Sequence, residues 1–118
     1  MKESNNLRHL QNMLLAINKL EEFTKEHSLE DAMDDYRISD VILLEFENVA
    51  NSANRLDADY KARHSEIPFF KITSIRNRIA HDYLSVSLET LYETVENDFE
   101  EFKSLIIKLI NQEQTIIK

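Results

Sequence analysis

The sequence predicts an all-α protein: an antiparallel four-helix up-and-down bundle with a short extra helical turn ahead of its third long helix. Glycine is absent and Pro68 is the single proline. Hairpins and phosphate-cradling loops rely on glycine at positive φ, so hairpin-rich β folds, Walker loops and dinucleotide fingerprints are excluded. Apolar residues recur at three- and four-residue intervals along four stretches, the period of a helix with one buried face. At 118 residues the chain fits a single domain, 1–118, large enough to bury a core.

The first stretch carries Leu7, Leu10, Met13/Leu14, Ile17, Leu20 and Phe23, which predicts a helix over 5–27. His9 and His27 have no partner at ligand spacing and are expected at the surface or a helix end. Ser28-Leu29-Glu30-Asp31 has the form of a capping box with Asp in place of Glu, so a new helix is expected to start there. The acids Asp31, Asp34 and Asp35 lack the alternation, turn glycine and closing Glu of a calcium loop, and read as a solvated helix start favoured by the helix dipole. Ile38, Val41/Ile42, Phe46, Val49, Ala53 and Leu56 mark a second long helix over 38–56. Ala50 and Ala53 are small enough to let another helix approach closely.

Residues 57–64 are too short and polar for a core element and predict one or two helical turns. His64, beside Arg63, is expected to be solvated rather than bound to a phosphate. Pro68 suits the first turn of a third helix, 68–81, where its missing N–H costs nothing. That helix is expected to bury Phe69/Phe70, Ile72, Ile75 and Ile79. Ser85-Val86-Ser87 offers N-caps. Leu88, Leu91, Val95, Phe99, Phe102, Ile106, Leu109 and Ile110 then predict a final helix over 88–112. Its outer acids, Glu93, Glu96, Asp98, Glu100 and Glu101, lack any sign of the burial that would raise their pKa values, and read as solvated surface.

No cysteine is present, which excludes disulfides, thiolate metal sites and thiol nucleophiles. The opening residues lack the apolar run of a signal peptide and no stretch approaches membrane-spanning length, so the expectation is a cytoplasmic protein. Net charge is −8, against indiscriminate nucleic-acid binding. The distribution is uneven: residues 55–81 carry +3 and the remainder −11. From charge alone, a local patch for RNA or an acidic partner and ordinary surface variation are equally good accounts.

One octad concentrates chemistry: Arg76-Asn77-Arg78-Ile79-Ala80-His81-Asp82-Tyr83. Arginine is always charged and forks onto phosphate oxygens, and histidine gives or takes a proton near neutrality. Together they supply what phosphodiester cleavage without a metal needs. On a straight helix, positions five apart lie about 140° apart, so Arg76 and His81 do not share a face, whereas Asn77 and His81 do. Either the helix end is distorted, or a second copy across a two-fold axis completes the site. The second arrangement is the expectation here.

The octad resembles the Arg-x4-His-x-Tyr motif of HEPN-domain proteins, and of the HepT-like toxins among them. The approach to it, Ala53-Asn54-Arg55-Leu56 and then Tyr60-Lys61-Ala62-Arg63-His64-Ser65-Glu66-Ile67-Pro68-Phe69, is similar to that family's, as are Leu84 to Glu89 and Glu96-Asn97-Asp98-Phe99 downstream. Ala50-Asn51 departs from the family's Gly-Glu. The resemblance implies a helical homodimer acting as a metal-independent endoribonuclease, without a cofactor, on an RNA substrate with tRNA a candidate. Arg76 and His81 would be catalytic, Asn77 and Arg78 would support the site or bind RNA, and 2′,3′-cyclic phosphate ends would form. It also implies a cognate nucleotidyltransferase (MNT-domain) antitoxin, as in a type VII-like toxin–antitoxin pair, which would silence the enzyme by AMPylation of Tyr83. The competing readings are a non-catalytic HEPN module that binds a nucleotide or a nucleotidyltransferase, and a helical interaction protein in which Arg76 merely pairs with a carboxylate and His81 caps a helix.

Overall fold

The computed structural model describes residues 2–81 and 87–117, with side chains over 5–79 and 87–115. These residues form α1 (Lys2–Glu26), α2 (Leu29–Asp34), α3 (Tyr36–Arg55), α4 (Ala58–Arg63), α5 (Phe69–His81) and α6 (Leu88–Ile117), with no strand among them. The four long helices are the four periodic stretches, and α4 is the short extra turn ahead of α5. A second short helix, α2, precedes α3. The last helix continues past the expected end at Gln112 to Ile117. Its 30 residues span about 45 Å at helical rise, close to the 48 Å long dimension of the molecule.

Local chemistry fixes the boundaries. Ser28 Oγ accepts from the Asp31 amide at 3.1 Å and Asp31 Oδ2 accepts from the Ser28 amide at 3.3 Å, so the capping box forms with the shorter acid. Asp35 is extended, ends α2 and caps α3 by accepting from the Arg37 amide at 3.0 Å. Its side-chain hydrogen bond with the Arg37 guanidinium holds the Asp35 carboxyl below the usual carboxylate range. The Pro68 carbonyl accepts from the amides of Lys71 and Ile72, placing the proline just before the first turn of α5. Ser87 caps α6 by accepting from the Glu89 amide at 3.2 Å. The other serine of that stretch, Ser85, lies outside the described residues.

Contacts between residues distant in sequence set the direction of each helix. Asn6, at the start of α1, binds Asp57, just past the end of α3. The Tyr92 hydroxyl, early in α6, donates to the carbonyl of His27 at 2.7 Å, just past the end of α1. Asn54, near the end of α3, meets Thr73, near the start of α5. These pairings make α1 antiparallel to both α3 and α6. Leu10, Met13, Ile17 and Leu20 from α1 join Ile42, Phe46 and Val49 from α3 and Phe99, Ile106 and Leu109 from α6 in the core. Phe46 and Phe99 pack at a tilt with centroids 5.6 Å apart, within the range of a favourable aromatic pair. Ala50 and Ala53 are fully buried in α3, which takes α1 on one side and α5 on the other.

Two burial expectations are corrected. Phe69 is buried but Phe70 is 87% exposed, because Ile72 and Ile79 fix the inward face of α5 and a neighbouring residue sits about 100° around the axis. Likewise Ile42 takes the core position in α3 while Val41 turns to solvent. His9 and His64 also differ from free surface groups. His9 is half-buried, and burial, with Arg55 and Arg8 nearby, pushes its pKa below the ordinary value. His64 packs on the ring of Tyr60 with centroids 4.6 Å apart and lies 3.7 Å from the Glu66 carboxylate, so neither solvent nor a phosphate explains its place.

Candidate active site

The motif rides on α5, a helix of 13 residues held mainly against α3. Phe69, Ile72 and Ile79 supply the buried face, and Thr73 Oγ1 donates to Asn54 Oδ1 at 3.1 Å to fix the register against α3. Lys71 Nζ lies 2.8 Å from Asp98 Oδ2 and ties the first half of α5 to α6. Beside that ion pair an apolar cleft of 280 Å³ opens between α5 and α6, lined by Pro68, Ile72, Ile75, Phe99, Phe102 and Leu105 among others. Arg76, Asn77 and Arg78 do not line it.

Beyond Ile75 the helix presents Arg76, Asn77 and Arg78 in sequence. Arg76 is half-buried, whereas Asn77 and Arg78 are exposed. The Arg76 Nη1 donates to Asn77 Oδ1 at 3.3 Å. Its Nε is shielded from solvent and has no hydrogen-bond partner among the described residues. No carboxylate among those residues pairs with the guanidinium either, so the interaction-protein reading gains no support from this side chain. A partly shielded guanidinium with donors to spare is suited to an anion with several oxygens, such as a phosphate.

The helix is regular from Phe69 to His81. Over those residues, therefore, no distortion brings positions 76 and 81 onto one face; they remain about 140° apart. The backbone of His81 closes α5, while its side chain, together with Asp82 and Tyr83, lies outside the described residues. Asn51 lines a polar groove of 250 Å³ between α1 and α3 with Asn12, Asn48 and Arg55. The carboxylates of Glu93, Glu96, Glu100 and Glu101 are exposed, as expected of a solvated helix face.

Two features escaped the sequence reading. One is Phe70, standing out from the same helix as the motif. The other is Glu113, 4% exposed near the end of α6, whose carboxylate faces the buried hydroxyl of Tyr60 in α4. The pattern of α6 marks its apolar face but not an acid buried within it, because the group it faces comes from a distant short helix.

No helix among the described residues is long and apolar enough to cross a membrane. Residues 13–109 match the family model described as "Ribonuclease HepT-like". A protein named "Probable ribonuclease HepT" from Thermococcus cleftensis is 29% identical over 101 residues, covering 86% of this chain and 92% of its own. "Putative RNase TTE0752" from Caldanaerobacter subterraneus subsp. tengcongensis is 22% identical over 106 residues, covering 90% and 95%. No solved structure matches the chain at a significant level. The matched span runs from within α1 to near the end of α6 and includes the whole of α5, so the chain belongs to the HepT-like ribonuclease family.

Proposed function

We propose that the chain is a metal-independent endoribonuclease, the toxin of a type VII-like toxin–antitoxin pair. The observation that carries this reading is Arg76: a half-buried guanidinium with an unpartnered Nε and an amide neighbour, on the helix that ends at His81. Family membership and the ribonuclease names of its relatives support it. Because one regular helix separates Arg76 and His81 by about 140°, the active unit is a homodimer in which the two motifs face one another across a cleft.

In that cleft His81 takes the proton from a ribose 2′-hydroxyl as the oxygen attacks the adjacent phosphorus. The bond from phosphorus to the 5′ oxygen breaks, and a protonated histidine returns a proton to the leaving oxygen. The products are a 2′,3′-cyclic phosphate and a 5′-hydroxyl end. Histidine is the side chain suited to giving and taking a proton near neutrality, which general acid–base catalysis requires. Arg76 neutralises the charge that builds on the phosphoryl oxygens, Asn77 orients the phosphate, and Arg78 holds the adjoining strand. AMPylation of Tyr83 by a nucleotidyltransferase antitoxin would add a phosphate's charge and a nucleotide's bulk next to His81, repelling RNA.

The test is cleavage of end-labelled bulk tRNA in excess chelator, comparing the wild type with His81→Ala, after intact-mass analysis has established that Tyr83 carries no AMP. Cleavage by the wild type alone, leaving cyclic phosphate ends, is the expected result. Silence from unmodified, dimeric protein would leave a nucleotide- or nucleotidyltransferase-binding module as the better description.

A further inference from the structure

Phe70 is 87% exposed, more than any other large apolar side chain among the described residues. A phenyl ring left in water forgoes the stabilisation of burial and keeps its face open to a ligand. It stands seven residues before Asn77 and eleven before position 81 on one unbroken helix. Both separations bring the azimuth back to within about 20°, so the three positions form one stripe, with a rise of about 10 Å from Phe70 to Asn77. Ser74, between them on the same stripe, is exposed and small, leaving the surface between ring and amide low.

We propose that Phe70 is a stacking platform for an unpaired base of the RNA substrate, flanking the phosphate that is cut. The proposal rests on the ribonuclease reading above and names what that enzyme recognises: a single-stranded segment, with a base splayed away from its neighbours. Aromatic side chains hold unpaired bases through the π-face that every base has, and cations beside them hold the backbone. Along this stripe the ring is followed by a hydroxyl, an amide and flanking guanidiniums, which suits a strand running from Phe70 towards Asn77.

The surroundings favour RNA over a second protein. The core of a protein interface gathers several apolar side chains. Here the neighbours of Phe70 on the exposed side of α5 are Ser74 and Asn77, and the other apolar residues more than half exposed, Leu15, Met33, Tyr36 and Leu44, lie on α1, α2 and α3. Among the described residues the ring stands alone in a polar stripe, which suits a base and not an interface core.

The chain has no tryptophan, so Phe70→Trp introduces a single reporter at the proposed contact. The probe is a short single-stranded 2′-O-methyl RNA, which the full-length protein cannot cut because its 2′ oxygens are blocked. The expected results are quenching of Trp fluorescence on adding the RNA, and weaker binding by Phe70→Ala by roughly five- to a hundredfold. Phe70→Leu, apolar but without a π-face, should lose most of the same affinity. Light scattering on each variant should give the mass of the wild type. Wild-type affinity in Phe70→Ala, beside a wild type that binds and cuts RNA, overturns this inference and leaves the ribonuclease reading intact. Loss of the wild-type mass in Phe70→Ala overturns it in favour of a contact between copies. A wild type that neither binds nor cuts any RNA overturns both.

Discussion

The Arg76 Nη1 donates to Oδ1 of Asn77 at 3.3 Å, joining two consecutive side chains of which one is half-buried and the other exposed. The bond takes up the amide oxygen of Asn77 and leaves its Nδ2 as a further donor beside the guanidinium. The pair thus offers an anion a fork and an amide at once. Replacing Arg76 by Lys keeps the charge but removes the planar fork. The expected fall in kcat for Arg76→Lys is roughly a hundred- to thousandfold on single-stranded RNA, the usual effect of removing a donor aimed at developing charge. Asn77→Ala, which removes a neutral donor, should cost only about tenfold. Single-turnover cleavage at saturating enzyme measures both, and equal losses in the two variants would contradict this division of roles.

At the start of the first helix, Asn6 is 4% exposed and binds Asp57 twice, accepting from its amide at 3.2 Å and donating to its carboxylate at 3.5 Å. Asp57 is the residue before α4, and its own side chain does not cap that helix. Asn6 therefore holds the turn between α3 and α4 against α1. Asn6→Ala leaves the Asp57 amide without its partner and should destabilise the fold by about 1–3 kcal/mol. The measurement is a urea transition, with a lower midpoint and an unchanged slope. A midpoint equal to that of the wild type would mean that solvent replaces both bonds without loss.

The helices were legible because their burial is periodic, and their starts because capping is local: Ser28 with Asp31, Pro68 and Ser87 each act within a few residues. What adjacent residues share was not legible. Phe69 and Phe70 are the same residue type, and only the packing of Ile72 and Ile79 on α3 decides which turns inward. Composition gave no warning that Asp35 would end one short helix and cap the next, since an acid serves equally in a first turn or as a cap. The sequence marked Arg76 and its neighbours as the candidate site. It held no sign that Arg76 would be half-buried with an unpartnered Nε, because that depends on how α5 lies on its neighbours.

Tyr60 and Glu113 make the least forgiving spot in the interior. Both are at least nine-tenths buried, and neither the Tyr60 hydroxyl nor Glu113 Oε2 completes a hydrogen bond of good geometry. Burial first, and then the Glu113 carboxylate, push the phenol well above its ordinary pKa. Tyr60→Phe is expected to cost about 1–3 kcal/mol, since it leaves the carboxylate facing a ring edge. Adding Glu113→Leu should cost less on that background than in the wild type, a coupling that a double-mutant cycle reads directly. A raised folded pKa also means that the unfolded chain loses this proton first as pH rises. The contribution is full below about pH 10 and declines above it, so alkaline unfolding should begin at a higher pH in Tyr60→Phe than its lower starting stability alone would give.

His9 sets the corresponding test on the acid side. Its Nδ1 is shielded and unpartnered, and burial, then Arg55 and Arg8, hold its pKa below the ordinary value, with Asp57 acting in the opposite direction. The folded protein therefore resists protonation of this ring while the unfolded chain accepts it near pH 6.5. Between the two pKa values the unfolded state binds more protons, so stability rises with pH there. The contribution is complete above about pH 6.5 and is lost as pH falls from that value towards the depressed folded pKa. His9→Gln keeps a polar side chain of similar reach but has no proton to gain. Its Tm should fall less than that of the wild type between neutral and mildly acidic pH, and the two curves should run parallel above neutrality. Because carboxylates titrate in both proteins, only the difference between the curves reports on His9. A difference that stays flat across this window would mean that His9 titrates alike in the folded and unfolded chains, and that its ring is better solvated than its place beside Arg55 implies.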